Sequence, residues 1–446
     1  MPFWRRSATT NDLQQSGDGE ENLNPNGDYL QTSSDGKRHL PQPRGPHSVG
    51  FVEVLTPGGP EEGTLCRILY PTQEQCLENS DKWPLWLEDQ YINGMLRFMQ
   101  YTLADWPSWA PRGDYYGIDQ MSLISPFIPQ LGFATMFRLM NGIIHIPILE
   151  KAIPDTTQKW PLVVFSHGLG CSRAIYSRVC YDMASYGFVV AAVEHREGSG
   201  CASFYVNESG EKTWIHHKRV PLLHEYQDRN QQIKDRVQEV VRTLDLITDL
   251  VHGNMPKNLL ETNEKLSTSI LEELSSVIDL SKPGITGHSM GGATTVLSLA
   301  TEKRFKFGIA LDAWMFPLRD EPNLSQKLET KPLMFISTDG FRSKENIAKI
   351  SEFQRDDADR QFHFIKGSVH QNHLDVPFIL KAALIRKVVG MASKTCPEIV
   401  IDLNNKMMVQ FLWKHLGLLN DKDVDEDIKR LKQQYLADLL DPNDLP

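Results

Sequence analysis

The sequence of 446 residues lacks several features that would place it outside a reducing, aqueous compartment. No stretch of 18 or more apolar residues is present, so no membrane-spanning helix is predicted. The amino end lacks the apolar core of a signal peptide, and Pro2 stands where N-myristoylation needs glycine. The six cysteines include no Cys-x-x-Cys pair, which indicates free thiols. These absences predict a cytoplasmic protein that touches membranes, if at all, only peripherally.

Basic residues are too few for a nucleic-acid-binding surface. The chain has 47 Lys and Arg against 57 Asp and Glu, a net charge of −10, which argues against nucleic acid as a partner because phosphate binding needs a basic surface. No carboxylate cluster has the spacing of an EF-hand or a similar cation loop. We therefore expect neither a metal nor another cofactor. The sequence leaves the oligomeric state open.

Strand and helix patterns alternate through most of the chain. Buried-strand patterns such as "WPLVVFSHG" and "GFVVAAVEHR" are separated by helical ones, and residues 228–253 form a long amphipathic pattern. Such alternation predicts an α/β fold with a mostly parallel central sheet and helices on both faces. We expect a disordered tail over 1–45, a catalytic domain over 46–420 and an acidic tail over 421–446.

A serine lies between glycines in Gly287-His288-Ser289-Met290-Gly291, which matches the G-x-S-x-G nucleophile elbow. The pattern alone is weak, since a glycine-rich turn produces it by chance. A strand pattern precedes it and a run of small apolar residues follows, as a strand-turn-helix elbow requires. We therefore predict that Ser289 is a nucleophile.

A serine nucleophile needs a base and an orienting acid, which follow it along the chain in this fold. His370 follows the last strand pattern, and His373 is a close rival three residues later. Asp312 and Asp339 each end a strand pattern. Position slightly favours Asp339, whereas apolar neighbours favour Asp312, so the residues alone leave the acid undecided.

An oxyanion hole needs two backbone N–H groups. The residue after the serine, Met290, supplies one of them. A second glycine-rich turn, "FSHGLGCS", follows an early strand pattern and nominates the N–H of Leu169.

Five longer segments then carry a resemblance to a known family. "PLVVFSHGLG", "YGFVVAAVEHREGSGCASFY", "GHSMGGATTV", "ALDAWMFPL" and "GSVHQN" resemble the platelet-activating factor acetylhydrolases of the lipoprotein-associated phospholipase A2 and intracellular type II group. The resemblance implies an α/β-hydrolase fold with Ser289, Asp312 and His370 as the catalytic triad. It also implies Leu169 and Met290 as oxyanion donors, the latter where vertebrate relatives usually have Phe.

The same resemblance implies the substrate. Members of the family cleave the short or oxidised sn-2 acyl ester of a phospholipid without calcium, so we expect contact with a membrane or lipoprotein surface. Two apolar stretches, 124–149 and 376–391, are candidates for that contact. In the second, the candidate docking residues are Phe378, Ile379, Ile385 and Val389, although amphipathicity alone favours a core helix there.

Two other functions fit the same residues. A carboxylesterase or lipase of the α/β-hydrolase class shares every triad residue and differs in its pocket. A non-catalytic lipid-binding protein that keeps the fold is the second alternative, which a complete set of Ser289, Asp312 and His370 disfavours.

Overall fold

A computed structural model describes residues 29–104, 133–261, 264–380, 391–419 and 426–440. Within these residues the strands are β1 Gln31–Thr32, β2 Arg38–His39, β3 Ser48–Leu55, β4 Leu65–Thr72, β5 Ile144–His145, β6 Leu149–Glu150, β7 Trp160–Ser166, β8 Val189–Val193, β9 Ala202–Val206, β10 Lys212–His216, β11 Ile278–His288, β12 Phe307–Leu311, β13 Leu333–Thr338, β14 Arg360–Ile365 and β15 Leu436–Asp438. Ten of them form one large sheet in the order β15-β14-β13-β12-β11-β7-β8-β4-β3-β6. Strands β1, β2 and β5 form a small three-stranded sheet, and β9 pairs with β10.

Helices cover both faces of the sheet. They are α1 Gly59–Glu62, α2 Asp89–Ala104, α3 Phe133–Asn141, α4 Ser177–Ser185, α5 Glu225–Val251, α6 Glu264–Val277, α7 Met290–Thr301, α8 Leu324–Lys327, α9 Lys344–Ser351, α10 Val376–Ile379, α11 Pro397–Leu416 and α12 Glu426–Tyr435. Helices α4 and α11 share one hydrophobic core with the sheet, and α5 and α7 share the other. The predicted two-sided α/β architecture is confirmed.

The central strands are parallel because each is followed by a helix that returns to the opposite end of the sheet. β7, β8, β11, β12, β13 and β14 all run in parallel with their neighbours in this group. The side chains of β7, β8, β12 and β13, such as the "VVAAV" of β8, are buried throughout. Strands covered on both faces have such continuous apolar runs, which explains why the sequence pattern located them.

The chain reverses its direction of travel across the sheet between β7 and β11. Strand β8 lies next to β7 on one side of this pair, and β12, β13 and β14 follow β11 on the other side. Ligands of open α/β sheets bind beyond the carboxyl ends of strands at such a switch point. Ser289, Asp312 and His370 all follow strands at this edge, as does the Leu169 turn.

Both terminal boundaries of the predicted catalytic domain need correction. Residues 29–45 are not a tail in the described part of the chain: β1 pairs with β2, and Arg44 forms ion pairs with Glu398 and Asp402. At the other end, β15 adds an antiparallel edge strand to β14, and Ile428 and Leu431 of α12 are buried. The polar composition of both segments concealed the isolated apolar residues, such as Leu40 and Leu439, that pack into the two cores.

None of the helices in the described ranges combines the length and the apolar character needed to cross a bilayer.

Candidate active site

Ser289 forms the sharp turn between β11 and α7. Its backbone has φ 58° and ψ −119°, a conformation that L residues with side chains rarely adopt. The Ser289 N–H donates to the carbonyl oxygen of Leu311 at 2.8 Å, which ties the turn to β12. Strained backbone of this kind is typical of functional turns, and here it matches the predicted elbow.

Asp312 leaves β12 at the same level of the sheet at which Ser289 leaves β11, because His288 and Leu311 are register partners. Its side chain is fully buried. One carboxylate oxygen accepts from the Thr338 N–H at 2.5 Å, and the other accepts from the Thr338 hydroxyl at 2.6 Å. Burial opposes ionisation, yet hydrogen bonds from His370 and Thr338 and nearby His373 hold the pKa of Asp312 below its ordinary value.

His370 is joined to Asp312 by a hydrogen bond of 2.9 Å between Nδ1 and Oδ2. Of the two candidate histidines, it is the one that also reaches solvent, with 8% of the residue exposed. The ring of Phe341 stacks on it, with centroids 4.0 Å apart and planes at 21°. This arrangement fixes the imidazole with Nδ1 toward the carboxylate and leaves Nε2 for a second partner, as a general base requires.

The rival His373 lies deeper. Its Nε2 is 3.7 Å from Asp312 Oδ2, too long for a hydrogen bond, and the ring is fully buried. Burial lowers the pKa of His373 to about 4. The rival acid Asp339 is exposed at the surface, where it accepts from the Gly367 N–H at 3.2 Å and lies 3.6 Å from Arg342. The structure thus brings together Asp312 and His370 among the alternatives.

The two predicted oxyanion residues flank the elbow. Met290 begins α7, so its N–H has no partner one turn earlier in the helix. The turn that contains Leu169 lies close to the serine: a methyl group added to Gly168 would come within 3.3 Å of Ser289 Cβ. The Gly168 N–H donates to the Tyr176 hydroxyl at 3.1 Å, which pins this turn to the start of α4.

Three residues near the site were not predicted. The Tyr176 hydroxyl lies 2.8 Å from Nδ1 of His288, whose ring packs 4.4 Å from that of His370. Burial and the two neighbouring histidines keep the pKa of His288 well below its ordinary value. Thr338 binds Asp312 as described. His288 directly precedes Ser289 in the elbow motif, but the motif does not specify that residue, and no spacing in the sequence relates Tyr176 or Thr338 to the triad.

Two groups within the described residues have three candidate metal ligands within 4.8 Å of one another. The first is His288, Asp312 and His370, but Asp312 already accepts hydrogen bonds from His370 and Thr338. The second is His195, Glu197 and Glu239, where both ring nitrogens of His195 already have partners in Ser166 and Glu239. A cation at either group would therefore compete with these hydrogen bonds.

The predicted docking residues must be partly corrected. Phe378 and Ile379 are 1% and 0% exposed, so their side chains belong to the core and do not face lipid. Arg178 lies over the Phe378 ring at 4.3 Å. The helix that contains them covers only Val376–Ile379, and Leu380 is already extended. Ile385 and Val389 lie outside the described residues.

The sheet, the elbow serine and the Asp312–His370 pair at one sheet edge define an α/β-hydrolase. Comparisons with known proteins specify the family. The family model described as "Platelet-activating factor acetylhydrolase, isoform II" matches residues 102–436. The chain therefore belongs to the platelet-activating factor acetylhydrolase family.

Individual relatives agree with this assignment. The platelet-activating factor acetylhydrolase of Canis lupus familiaris is 34% identical over 403 residues, which cover 89% of this chain and 82% of the relative. That of Cavia porcellus is 32% identical over 405 residues, with the same shares covered. A putative phospholipase A2 of Schizosaccharomyces pombe is 26% identical over 309 residues, which cover 58% of this chain and 68% of the relative.

Proposed function

We propose that this chain is a calcium-independent serine esterase that removes the short or oxidised sn-2 acyl group from phospholipids resembling platelet-activating factor. The observation that carries the proposal is the hydrogen bond between His370 and buried Asp312, at the sheet edge where Ser289 forms a strained elbow. Membership of the family supports the choice of substrate class.

The chemistry follows from these positions. The Ser289 oxygen attacks the sn-2 carbonyl carbon while His370 Nε2 takes the hydroxyl proton, and Asp312 stabilises the imidazolium. The carbonyl oxygen becomes an oxyanion that accepts hydrogen bonds from Leu169 and Met290. When the ester bond breaks, His370 returns the proton to the departing lysophospholipid oxygen. Water then repeats the sequence on the acyl-enzyme, which releases the short carboxylic acid and restores Ser289.

The test combines covalent labelling with a substrate series. A fluorophosphonate probe should label the wild-type protein and leave Ser289→Ala unlabelled, while Ser276→Ala, at an exposed serine in α6, should label normally. Hydrolysis of phosphatidylcholines with sn-2 chains from acetyl to palmitoyl should fall steeply with chain length. If Ser289→Ala is labelled as strongly as the wild-type protein, the assignment of Ser289 as the nucleophile is wrong.

The labelling experiment, together with turnover of a long-chain triacylglycerol beside the phosphatidylcholine series, separates the alternatives. Preference for long-chain triacylglycerol over the short sn-2 phospholipid would favour the carboxylesterase or lipase. Failure of the wild-type protein to react with the probe would favour the non-catalytic lipid-binding protein.

Attachment to a lipid surface is the second part of the proposal. An apolar patch lies at the end of α3, within the stretch 124–149: Leu139 is 83% exposed, Met140 48% and Ile143 56%. Leu85, 43% exposed, lies beside it because Trp86 donates to the Ile144 carbonyl. We call these four residues the α3 patch. Large exposed apolar side chains grouped in this way are typical of surfaces that bind membranes or other proteins, and the phospholipid substrate proposed above favours a membrane here.

A further inference from the structure

Two side chains bind the carbonyl oxygen of the peptide group between Gly168 and Leu169. His167 Nδ1 lies 2.9 Å from the Gly168 oxygen, and Arg236 Nη2 donates to the same oxygen at 3.4 Å. This peptide group also contains the Leu169 N–H, the proposed oxyanion donor. Any group that binds the oxygen therefore acts on the donor as well.

His167 is fixed in one tautomer. Its Nε2 is 3.1 Å from the backbone N–H of His195 and must accept from it, so the ring proton is on Nδ1 and is donated to Gly168. The ring is fully buried. Burial and the nearby His195 and Arg236 keep the pKa of His167 well below its ordinary value, so the ring stays neutral.

Arg236 of α5 also contacts this turn. It is fully buried and donates to the His167 carbonyl oxygen at 2.5 Å and to the Ser199 hydroxyl. An ion pair of 3.0 Å with Glu197 holds its guanidinium in place. Consecutive carbonyls of the turn, those of His167 and Gly168, thus point at one buried cation.

In a trans peptide the C=O and the N–H point in opposite directions. Because His167 and Arg236 bind the Gly168 oxygen, the Leu169 N–H of the same peptide group points away from these two side chains. Hydrogen bonds to the oxygen also polarise the peptide group and strengthen its N–H as a donor. We propose that His167 and Arg236 are positioning residues that set the direction and strength of the Leu169 oxyanion donor. The proposal rests on the serine-esterase function proposed above.

Two substitutions separate the Nδ1 donor from the Nε2 acceptor of His167. In His167→Asn the side-chain amide reaches the position of Nδ1 and can donate to Gly168, but it loses the link to His195. In His167→Gln the longer amide reaches the position of Nε2 and can keep the link to His195, but it leaves the Gly168 oxygen without this donor. We expect kcat on a soluble acetyl ester to fall about 100-fold in His167→Gln with KM nearly constant, because an oxyanion donor acts only in the transition state. His167→Asn should recover at least a tenth of the wild-type kcat.

Both kcat values are taken per site titrated with the fluorophosphonate, so that unfolded protein is not counted. A trifluoromethyl ketone, which binds serine as an oxyanion-containing hemiketal, should lose affinity in His167→Gln in proportion to kcat. Normal kcat in His167→Gln, or no recovery in His167→Asn, overturns the positioning role. Failure of the wild-type protein to be titrated at Ser289 overturns the proposed function instead, so the two failures are distinct.

Discussion

At the scale of single residues, the carboxylate of Asp312 forms a hydrogen bond with only one of two histidines that lie three positions apart, His370 and His373. Asp312 is hydrogen bonded to His370 at 2.9 Å but lies 3.7 Å from His373. The ring of His373 is fully buried, and neither of its nitrogens has a hydrogen-bond partner. We therefore expect His370, and not His373, to exchange protons with a substrate.

This difference predicts opposite effects of substitution. His370→Ala should lower kcat by a factor of about 10⁴ or more, as removal of a triad member does in such enzymes. His373→Leu, of similar volume, should keep most of the activity because the side chain packs behind the site. Hydrolysis of a short-chain ester by both purified variants checks the assignment. Loss of activity only in His373→Leu would make His373 the base.

The two aspartates give the second residue-scale prediction. Asp312→Asn should reduce kcat about 10⁴-fold, because an amide in place of the carboxylate no longer stabilises the imidazolium and favours the wrong tautomer. Asp339→Asn, at an exposed position paired with Arg342, should change kcat less than about threefold. Steady-state kinetics on the same ester compare them. A severe defect confined to Asp339→Asn would contradict the geometry.

At the scale of elements, the elbow depends on a close approach between α7 and β7. A methyl group at Gly291 would lie 2.0 Å from the Ser166 carbonyl oxygen, which is backbone and cannot rotate away. At Gly340, in the turn after β13, the nearest atom is 3.4 Å away, an ordinary contact. Glycine is thus required at the first position by packing and is replaceable at the second.

We expect Gly291→Ala to lower the free energy of unfolding by about 1–3 kcal/mol or more, as overpacking does, and to abolish esterase activity by displacing Ser289. The matched control Gly340→Ala should stay within about 0.5 kcal/mol of the wild type. Urea unfolding together with ester turnover measures both effects. A fully active and stable Gly291→Ala protein would show that the close approach is not needed.

Another element-scale prediction concerns the α3 patch. Replacing Leu139 and Ile143 by Glu places two charges in the proposed lipid contact, where each apolar side chain contributes roughly 1.5–3 kcal/mol. Binding to phosphatidylcholine vesicles, followed by sedimentation, should weaken at least about tenfold, while turnover of p-nitrophenyl acetate stays the same.

The control is Leu223→Glu, an equally exposed leucine before α5 that is not part of the patch. If it weakens vesicle binding as much as the double substitution, the attachment is not specific to the α3 patch.

At the scale of the whole molecule, buried titratable groups couple folding to pH. The pKa of His373 falls from its ordinary 6.5 to about 4 on folding because of burial. Between these values the unfolded chain binds more protons than the folded one, so this group lowers stability as the pH falls from about 6.5 to 4. Glu194 and Asp375, whose pKa burial raises to about 7, act in the opposite sense.

The wild type and His373→Leu should therefore differ in the pH dependence of their stability. From pH 7.5 to pH 5, we expect the free energy of unfolding of the wild type to fall relative to the variant by about 2 kcal/mol, since one pKa unit is worth about 1.4 kcal/mol. Urea titrations of both proteins at the two pH values give this double difference, in which packing changes that do not depend on pH cancel. Parallel pH profiles would mean that His373 does not titrate abnormally.

The sequence by itself determined the central strands, the elbow at Ser289 and the turn before Leu169. Runs of buried β-branched residues and glycines at fixed positions act over a few neighbouring residues, so they can be recognised without the fold. The α/β class followed from the same local patterns. The family resemblance added the choice of Asp312, which the residues alone left open.

Only the tertiary structure decided which groups touch. Asp312 and His370 are 58 positions apart, and strand register together with the loop after β14 brings them within 2.9 Å. The burial of Phe378, the edge strand β15 and the contact of Arg236 with the His167 carbonyl depend equally on distant segments. Periodicity shows that a side chain has an apolar or polar face, but not which segment will cover it. That information arises only when the elements pack.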